Sequence, residues 1–214
     1  MWEFSLKGAK SILCLGAHAD DIEIGCGGTI LTLVRNFTDL NILWVVFSAQ
    51  GPRAAEARRS ARAFLDGATQ KKIVTKHFRN SFFPYEGERI KEYFEQLKQS
   101  FQPDLVFTHY RDDRHQDHRV LSDLAWNTFR NHLILEYEIP KYDGDLGCPN
   151  VFVRLDEMLC RQKAAWVCKY FQTQGNKNWF SAETFLSLMR IRGMECASPT
   201  KHAEAFYCRK LTCR

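Results

Sequence analysis

Short apolar runs alternating with helical stretches constrain this chain of 214 residues more than any other feature. Ser11 to Gly16 is an apolar run that stops at a glycine, and a helical stretch follows from about Gly28 to Asn36. Asn41 to Phe47 reads as a second buried strand, and Arg53 to Leu65 as an Ala/Arg-rich helix whose start is marked by Gly51-Pro52. Lys72 to Lys76 is a weaker strand, and Glu86 to Phe101 is an amphipathic helix with Ile90, Phe94, Leu97 and Phe101 on one face. Asp104 to Thr108, introduced by Pro103, and Leu133 to Glu138 are strands flanking a helix from about Asp117 to Arg130. Strands alternating with helices at this spacing call for a parallel sheet covered on both faces. The expected fold is therefore α/β: a Rossmann-like, mostly parallel sheet with helices on both faces.

Beyond Glu138 the rhythm breaks. Pro140, Gly144, Gly147 and Pro149 interrupt it, then come a strand at Val151 to Arg154, a helix from Asp156 to Phe171, another near Glu183 to Ile191, and a final strand near Ala205 to Lys210. This segment reads as a C-terminal extension packed on the same sheet, so one domain is expected over residues 1–214.

Hydrophobic residues at 45% and charged residues at 26% are the balance of a soluble globular chain. The net charge of +5 does not point to nucleic acid, because basic residues are dispersed and neighbour acids, as in Arg111-Asp112-Asp113-Arg114. The eight cysteines, Cys14, Cys26, Cys148, Cys160, Cys168, Cys196, Cys208 and Cys213, form no Cys-x-x-Cys pair. With no signal region before the first strand and no run long enough to span a bilayer, a reducing cytoplasm and no membrane insertion are expected.

Chemistry concentrates in two segments. Ala17-His18-Ala19-Asp20-Asp21 stands where the first strand ends, the edge at which open α/β sheets bind ligands. A nucleotide fold would put a glycine-rich phosphate cradle there, yet two adjacent carboxylates would repel a pyrophosphate. A cation fits better: His18 and Asp21 are a ligand pair suited to zinc, and Asp20, pointing elsewhere, is free to act as a base. The competing reading, that Asp20 and Asp21 merely cap the next helix, stays open on this segment alone. The second segment, Asp113-Arg114-His115-Gln116-Asp117-His118-Arg119, carries two histidines three apart at a helix start, on one face. If the strand order is 3-2-1-4-5, both segments meet over one crevice. His77, His109, His132 and His202 sit singly and are assigned no ligand role, with His109 at the pocket edge.

Together the two segments resemble the PIG-L/LmbE-like family of zinc-dependent N-deacetylases. Its first motif, Ala-His-x-Asp-Asp, is matched by Ala17 to Asp21, and its second, His-x-Asp-His, by His115 to His118. Arg53-x-x-Glu56, Pro103-Asp104, Lys163 with Thr173-Gln174, and Ala203-Glu204-Ala205-Phe206 extend the similarity across nearly the whole chain. The resemblance implies zinc (Zn2+) held by His18, Asp21 and His118, with Asp20 as general base. It further implies a protonated His115 facing the oxyanion, Asp117 orienting His115, and Arg53 binding substrate. The implied reaction is removal of an acyl group, acetyl above all, from an N-acetylglucosamine-type amino sugar or its conjugate. The alternatives are an amidase acting on a thiol conjugate of an amino sugar, or a non-catalytic nucleotide- or sugar-binding module. Family members also form homo-oligomers, and no feature here sets a number. Ala19 and Gln116 depart from the usual prolines, which removes rigidity from both loops without removing a ligand. The aromatic segment Phe82-Phe83-Pro84-Tyr85 and the segment Tyr137 to Pro149 are candidates to line a sugar site.

Overall fold

A computed structural model describes residues 3 and 5–212. Five strands run parallel: β1 (Ser11–His18), β2 (Asn41–Ser48), β3 (Gln70–Thr75), β4 (Leu105–His109) and β5 (Leu133–Tyr137). The helices between them are α1 (Asp21–Asn36), α2 (Pro52–Phe64), α3 (Gly87–Ser100) and α4 (Gln116–Thr128). The extension adds β6 (Val151–Arg154), α5 (Glu157–Tyr170), α6 (Ala182–Glu195) and β7 (Ala203–Tyr207). All seven strands belong to one sheet in the order β3-β2-β1-β4-β5-β7-β6, with β7 antiparallel to both β5 and β6. This is the expected mostly parallel α/β sheet, and the extension does continue it.

Strand alternation sorts the core into two layers, because successive side chains leave opposite faces of a pleated strand. Ile12 and Cys14 of β1, Ile42, Trp44 and Val46 of β2, and Leu105 and Phe107 of β4 pack on one face with Ile30 of α1, Phe64 of α2 and Val167 of α5. Leu13, Leu15, Val45, Phe47 and Val106 face the other way, against Ile90, Phe94 and Leu97 of α3 and Leu121 and Ala125 of α4. The continuous apolar runs of β1 and β2 follow from this double coverage, since both faces exclude water.

Several boundaries differ from expectation; β1 runs on to His18 and α6 on to Glu195. The strand expected at Lys72 to Lys76 is Gln70–Thr75, and the last strand is Ala203–Tyr207 rather than Ala205 to Lys210. The largest difference is α1, which begins at Asp21 rather than near Gly28. Gly25, Gly27 and Gly28 carry poor helix propensity and read as loop. Tertiary packing explains them: a Cβ on Gly25 would lie 2.1 Å from the Tyr137 ring, so the helix approaches β5 only where a side chain is missing.

Strand order reverses between β1 and β4. The chain leaves β1 for α1 on one face, and leaves β4 for α4 on the other, opening a crevice at their carboxyl ends. No helix among the described residues is long and apolar enough to cross a membrane. Cys14, Cys26, Cys148, Cys160, Cys168, Cys196 and Cys208 are free thiols, while Cys213 and most of the leading Met1 to Phe4 stretch lie outside the described residues.

Candidate active site

His18 is the last residue of β1, Asp20 stands at the N-cap position of α1 without a side-chain capping bond, and Asp21 opens the helix. From the other side of the crevice, His115 caps α4 and His118 lies in its first turn. The two segments converge. His18 Nδ1 is 3.1 Å from His118 Nε2 and 3.4 Å from Asp21 Oδ2, and His118 Nε2 is 3.5 Å from that same oxygen. Donors bound tetrahedrally at zinc-like distances of about 2.0–2.1 Å lie about 3.3 Å from one another. The triangle brackets that edge, so the three side chains fit a small tetrahedral cation.

The remaining ring nitrogens strengthen the fit. His118 Nδ1 faces Asp113 Oδ2 at 2.9 Å, and His18 Nε2 faces Asp117 Oδ2 at 3.2 Å. A carboxylate on the far nitrogen fixes the tautomer and aims the near one, the usual arrangement behind metal-ligating histidines. Lys141 extends one chain outward, its Nζ standing 3.0 Å from Asp113 Oδ2.

Asp117 takes on more than its expected part of orienting or tuning His115. Its carboxylate holds His18, and also accepts the N–H groups of Ser81 (2.6 Å) and Phe83 (3.1 Å). Its backbone N–H donates to His115 Nδ1 at 3.2 Å, and its charge also acts on that ring. That bond decides the character of His115. Burial, then the neighbouring His18, pushes its pKa down, towards a neutral ring and away from the protonated one expected. With Nδ1 accepting, the proton sits on Nε2, and a neutral His115 can still present an N–H donor.

The other groups divide by environment. Burial works against charge on His18, but Asp21 and Asp117 outweigh it and hold the pKa up at about 9, so a cation taken up at Nδ1 displaces a proton. Burial, then His109, pushes His118 down to about 3, which keeps its lone pair available. Burial also resists charge on Asp21, yet the rings of His118, His109 and His18 outweigh it and hold the carboxyl well below its ordinary value. Asp20 goes the other way: burial raises it, and Arg53, whose Nη2 donates to Oδ1 at 2.7 Å, only partly opposes. Asp20 is a buried carboxylate beside the triangle but not part of it. Arg53, expected to bind substrate, meets Asp20 in this arrangement.

Sequence reasoning gave Asp113 no role and His109 only a place at the pocket edge. His109 is fully buried at the end of β4, stacked on His118 with ring centroids 3.8 Å apart. Its Nε2 lies 3.1 Å from Asp21 Oδ2 and accepts the Ala17 N–H at 3.0 Å. Two other groups of potential donors each share two members with the triangle: Asp21, His109 and His118, and His18, His115 and His118. Its place at a strand's carboxyl end, the same place His18 holds on β1, was the available signal. Of the supporting motifs, Glu56 binds Thr173 through N–H (3.1 Å) and hydroxyl (2.6 Å), and Asp104 accepts the N–H groups of Lys10 and Ser11. These residues brace the scaffold at a distance from the crevice.

With the fold and this geometry fixed, comparison with known proteins is direct. Residues 13–129, more than half of the chain, match the family model described as PIG-L, GlcNAc-PI de-N-acetylase. The chain belongs to the PIG-L family. Solved structures share the fold across almost its full length. N,N'-diacetylchitobiose deacetylase from Pyrococcus horikoshii superposes with a TM-score of 0.72 at 23% identity, over 94% of this chain and 84% of that one. Teicoplanin deacetylase Orf2, in a zinc-inhibited form, gives 0.69 at 16%, covering 92% and 97%. GalB, the 4-carboxy-2-hydroxymuconate hydratase of Pseudomonas putida KT2440, gives 0.73 at 16%, covering 96% and 98%. The last is no deacetylase, so within this fold the PIG-L site itself has to carry the functional argument.

Proposed function

We propose that this PIG-L protein, acting as one domain, is a zinc-dependent amide hydrolase that removes the acetyl group from an N-acetylglucosamine-type amino sugar or its conjugate. The observation that carries the reading is the triangle of His18, Asp21 and His118 donors with the unligated Asp20 carboxylate beside it. Family membership and the deacetylases sharing the fold support the reaction class.

His18, Asp21 and His118 would hold the ion, which when bound supplies a Lewis acid that acidifies water and polarises the amide carbonyl. Asp20 is the base. Burial raises its proton affinity, Arg53 partly opposes that rise, and its carboxylate takes the proton from the attacking water. As the carbonyl carbon becomes tetrahedral, charge grows on its oxygen, and the Nε2–H of a neutral His115 donates to that oxygen more strongly than to the ground-state carbonyl. Asp20, now protonated, returns the proton to the leaving amine, so the bond from carbon to nitrogen breaks with acetate and a free amine as products. Arg53 holds Asp20 in place and is released toward substrate when the sugar enters.

The test is acetate release from a panel of N-acetylglucosamine derivatives, free, nucleotide-linked and lipid-linked, with zinc removed by a chelator and then restored. Release that stops on chelation and returns with zinc is expected. Equal release before and after complete removal of metal would overturn the zinc assignment, and no release from any amide would overturn the reaction.

A further inference from the structure

Lys163 and Glu204 lie outside residues 13–129 and outside the crevice, yet they grip the helix that carries Asp20 and Asp21. Lys163 Nζ on α5 is 2.6 Å from Glu204 Oε1 on β7, and both side chains are only 3% exposed. In an α-helix the Gly28 N–H and the Ile24 C=O are each other's partners. Here each is also taken by one member of the pair. Lys163 Nζ donates to the Ile24 carbonyl at 2.6 Å, while Glu204 Oε1 accepts the Gly28 N–H at 2.7 Å and Oε2 the Thr29 N–H at 2.6 Å. Gly28 lets the carboxylate in, because a Cβ there would lie 2.9 Å from Oε1.

Ile24 connects this grip to the site. Its N–H donates to the Asp20 carbonyl at 3.1 Å, closing the turn that holds Asp20 and Asp21, and its carbonyl is the atom Lys163 holds. The cavity beside the pair, about 10 Å³ between Ile24, Gly25, Lys163 and Glu204, has room for about one water, so the pair is not a ligand site of its own. Stability alone does not explain it either, since apolar residues of similar volume often serve a buried position as well as an ion pair does. Side chains inserted at a helix ladder instead set the direction of the turns on either side.

We infer that Lys163 and Glu204 are positioning residues that fix the first turn of α1 so that Asp21 meets His18 and His118. The inference rests on reading those three residues as metal ligands. It is tested on the full chain by competition of Zn2+ with a chromophoric chelator, and by the visible absorption bands of the Co2+-loaded protein. Lys163→Met and Glu204→Gln are expected to weaken Zn2+ binding by about 10- to 100-fold, the scale on which loss of outer partners acts on a metal site. Both should shift the Co2+ bands, and Lys163→Arg should restore affinity and bands together. Lys163→Gln, which keeps a donor for Ile24, replaces Lys163→Met if the latter does not fold. Arg192→Met is the control: it removes the neighbouring buried pair, Arg192 with Glu138 at 2.7 Å, which lines the same cavity but makes no bond to α1. It should lower the melting temperature and leave affinity and bands alone. Unchanged affinity and bands in both the Lys163 and Glu204 variants, or an equal loss in Arg192→Met, would overturn the inference. A wild-type chain that takes up no stoichiometric Zn2+ would instead overturn the ligand reading beneath it.

Discussion

Asp20 and Asp21 are chain neighbours with opposite electrostatic fates. Three imidazoles surround Asp21 and hold it ionised, whereas burial raises Asp20, which has a single guanidinium for company. That separation is what the proposed division of roles, Asp21 as ligand and Asp20 as base, requires. Asp20→Asn is therefore expected to keep stoichiometric zinc, read by metal analysis, while turnover falls about a hundredfold or more, the scale of general-base loss. Asp113→Asn tests a different atom. It weakens the acceptor on His118 Nδ1, and zinc affinity should drop by about 10- to 100-fold with the fold intact by circular dichroism. An unchanged affinity would reduce Asp113 to a loop residue. Asp113 and His109 went unassigned from the sequence for a physical reason: a second partner is defined by what it faces, and facing depends on the packing of β4 and α4.

At the scale of elements, α1 and the segment around Phe83 show tertiary contacts overruling local preference. Replacing Gly25 by Ala would gain about 1 kcal/mol of helix propensity. The added Cβ would meet the Tyr137 ring at 2.1 Å, and overpacking of this kind costs typically about 1–3 kcal/mol, more where a ring cannot move aside. Overpacking wins, because Tyr137 is pinned by its hydroxyl, which donates to the Leu15 carbonyl at 2.6 Å. Thermal melting of Gly25→Ala should show a lower midpoint than wild type; a higher one would mean that α1 stands off from β5. Across the crevice, Ser81 adopts φ of 65°, a left-handed conformation uncommon for a residue with a side chain. Its N–H is held by Asp117 and its carbonyl by the Gln116 side chain, so one carboxylate sets both His18 and the aromatic segment beside it.

The whole molecule extends past the family match. Residues 13–129 contain both motifs, but Phe107 and Tyr137 pack in a layer completed by Val167 and Phe171 of the α5 segment, Phe185 of α6 and Phe206 of β7. Removing everything after residue 138 strips that layer from one face of the sheet. Such a fragment should lack a cooperative thermal transition and expose apolar surface to a hydrophobic dye; a sharp transition would show that residues 1–138 fold alone. Zinc should act on the intact chain as any ligand of the native state does. At a free concentration a thousand times its dissociation constant it adds about 4 kcal/mol, so chelation should lower the melting temperature.

Motif and periodicity together determined a good deal. The alternation of apolar runs implied the parallel sheet, because residues buried on both faces leave no polar positions in a strand. Ala17 to Asp21 and His115 to His118 marked the crevice, because strand ends and helix starts place adjacent residues without help from distant ones. Only the tertiary structure decided the rest. The start of α1 among glycines, the reach of the Asp117 carboxylate to His18, the lowered pKa of His115, and the grip of Lys163 and Glu204 all arise between segments far apart in the chain. Such contacts depend on which faces meet across the sheet, and no local pattern encodes that.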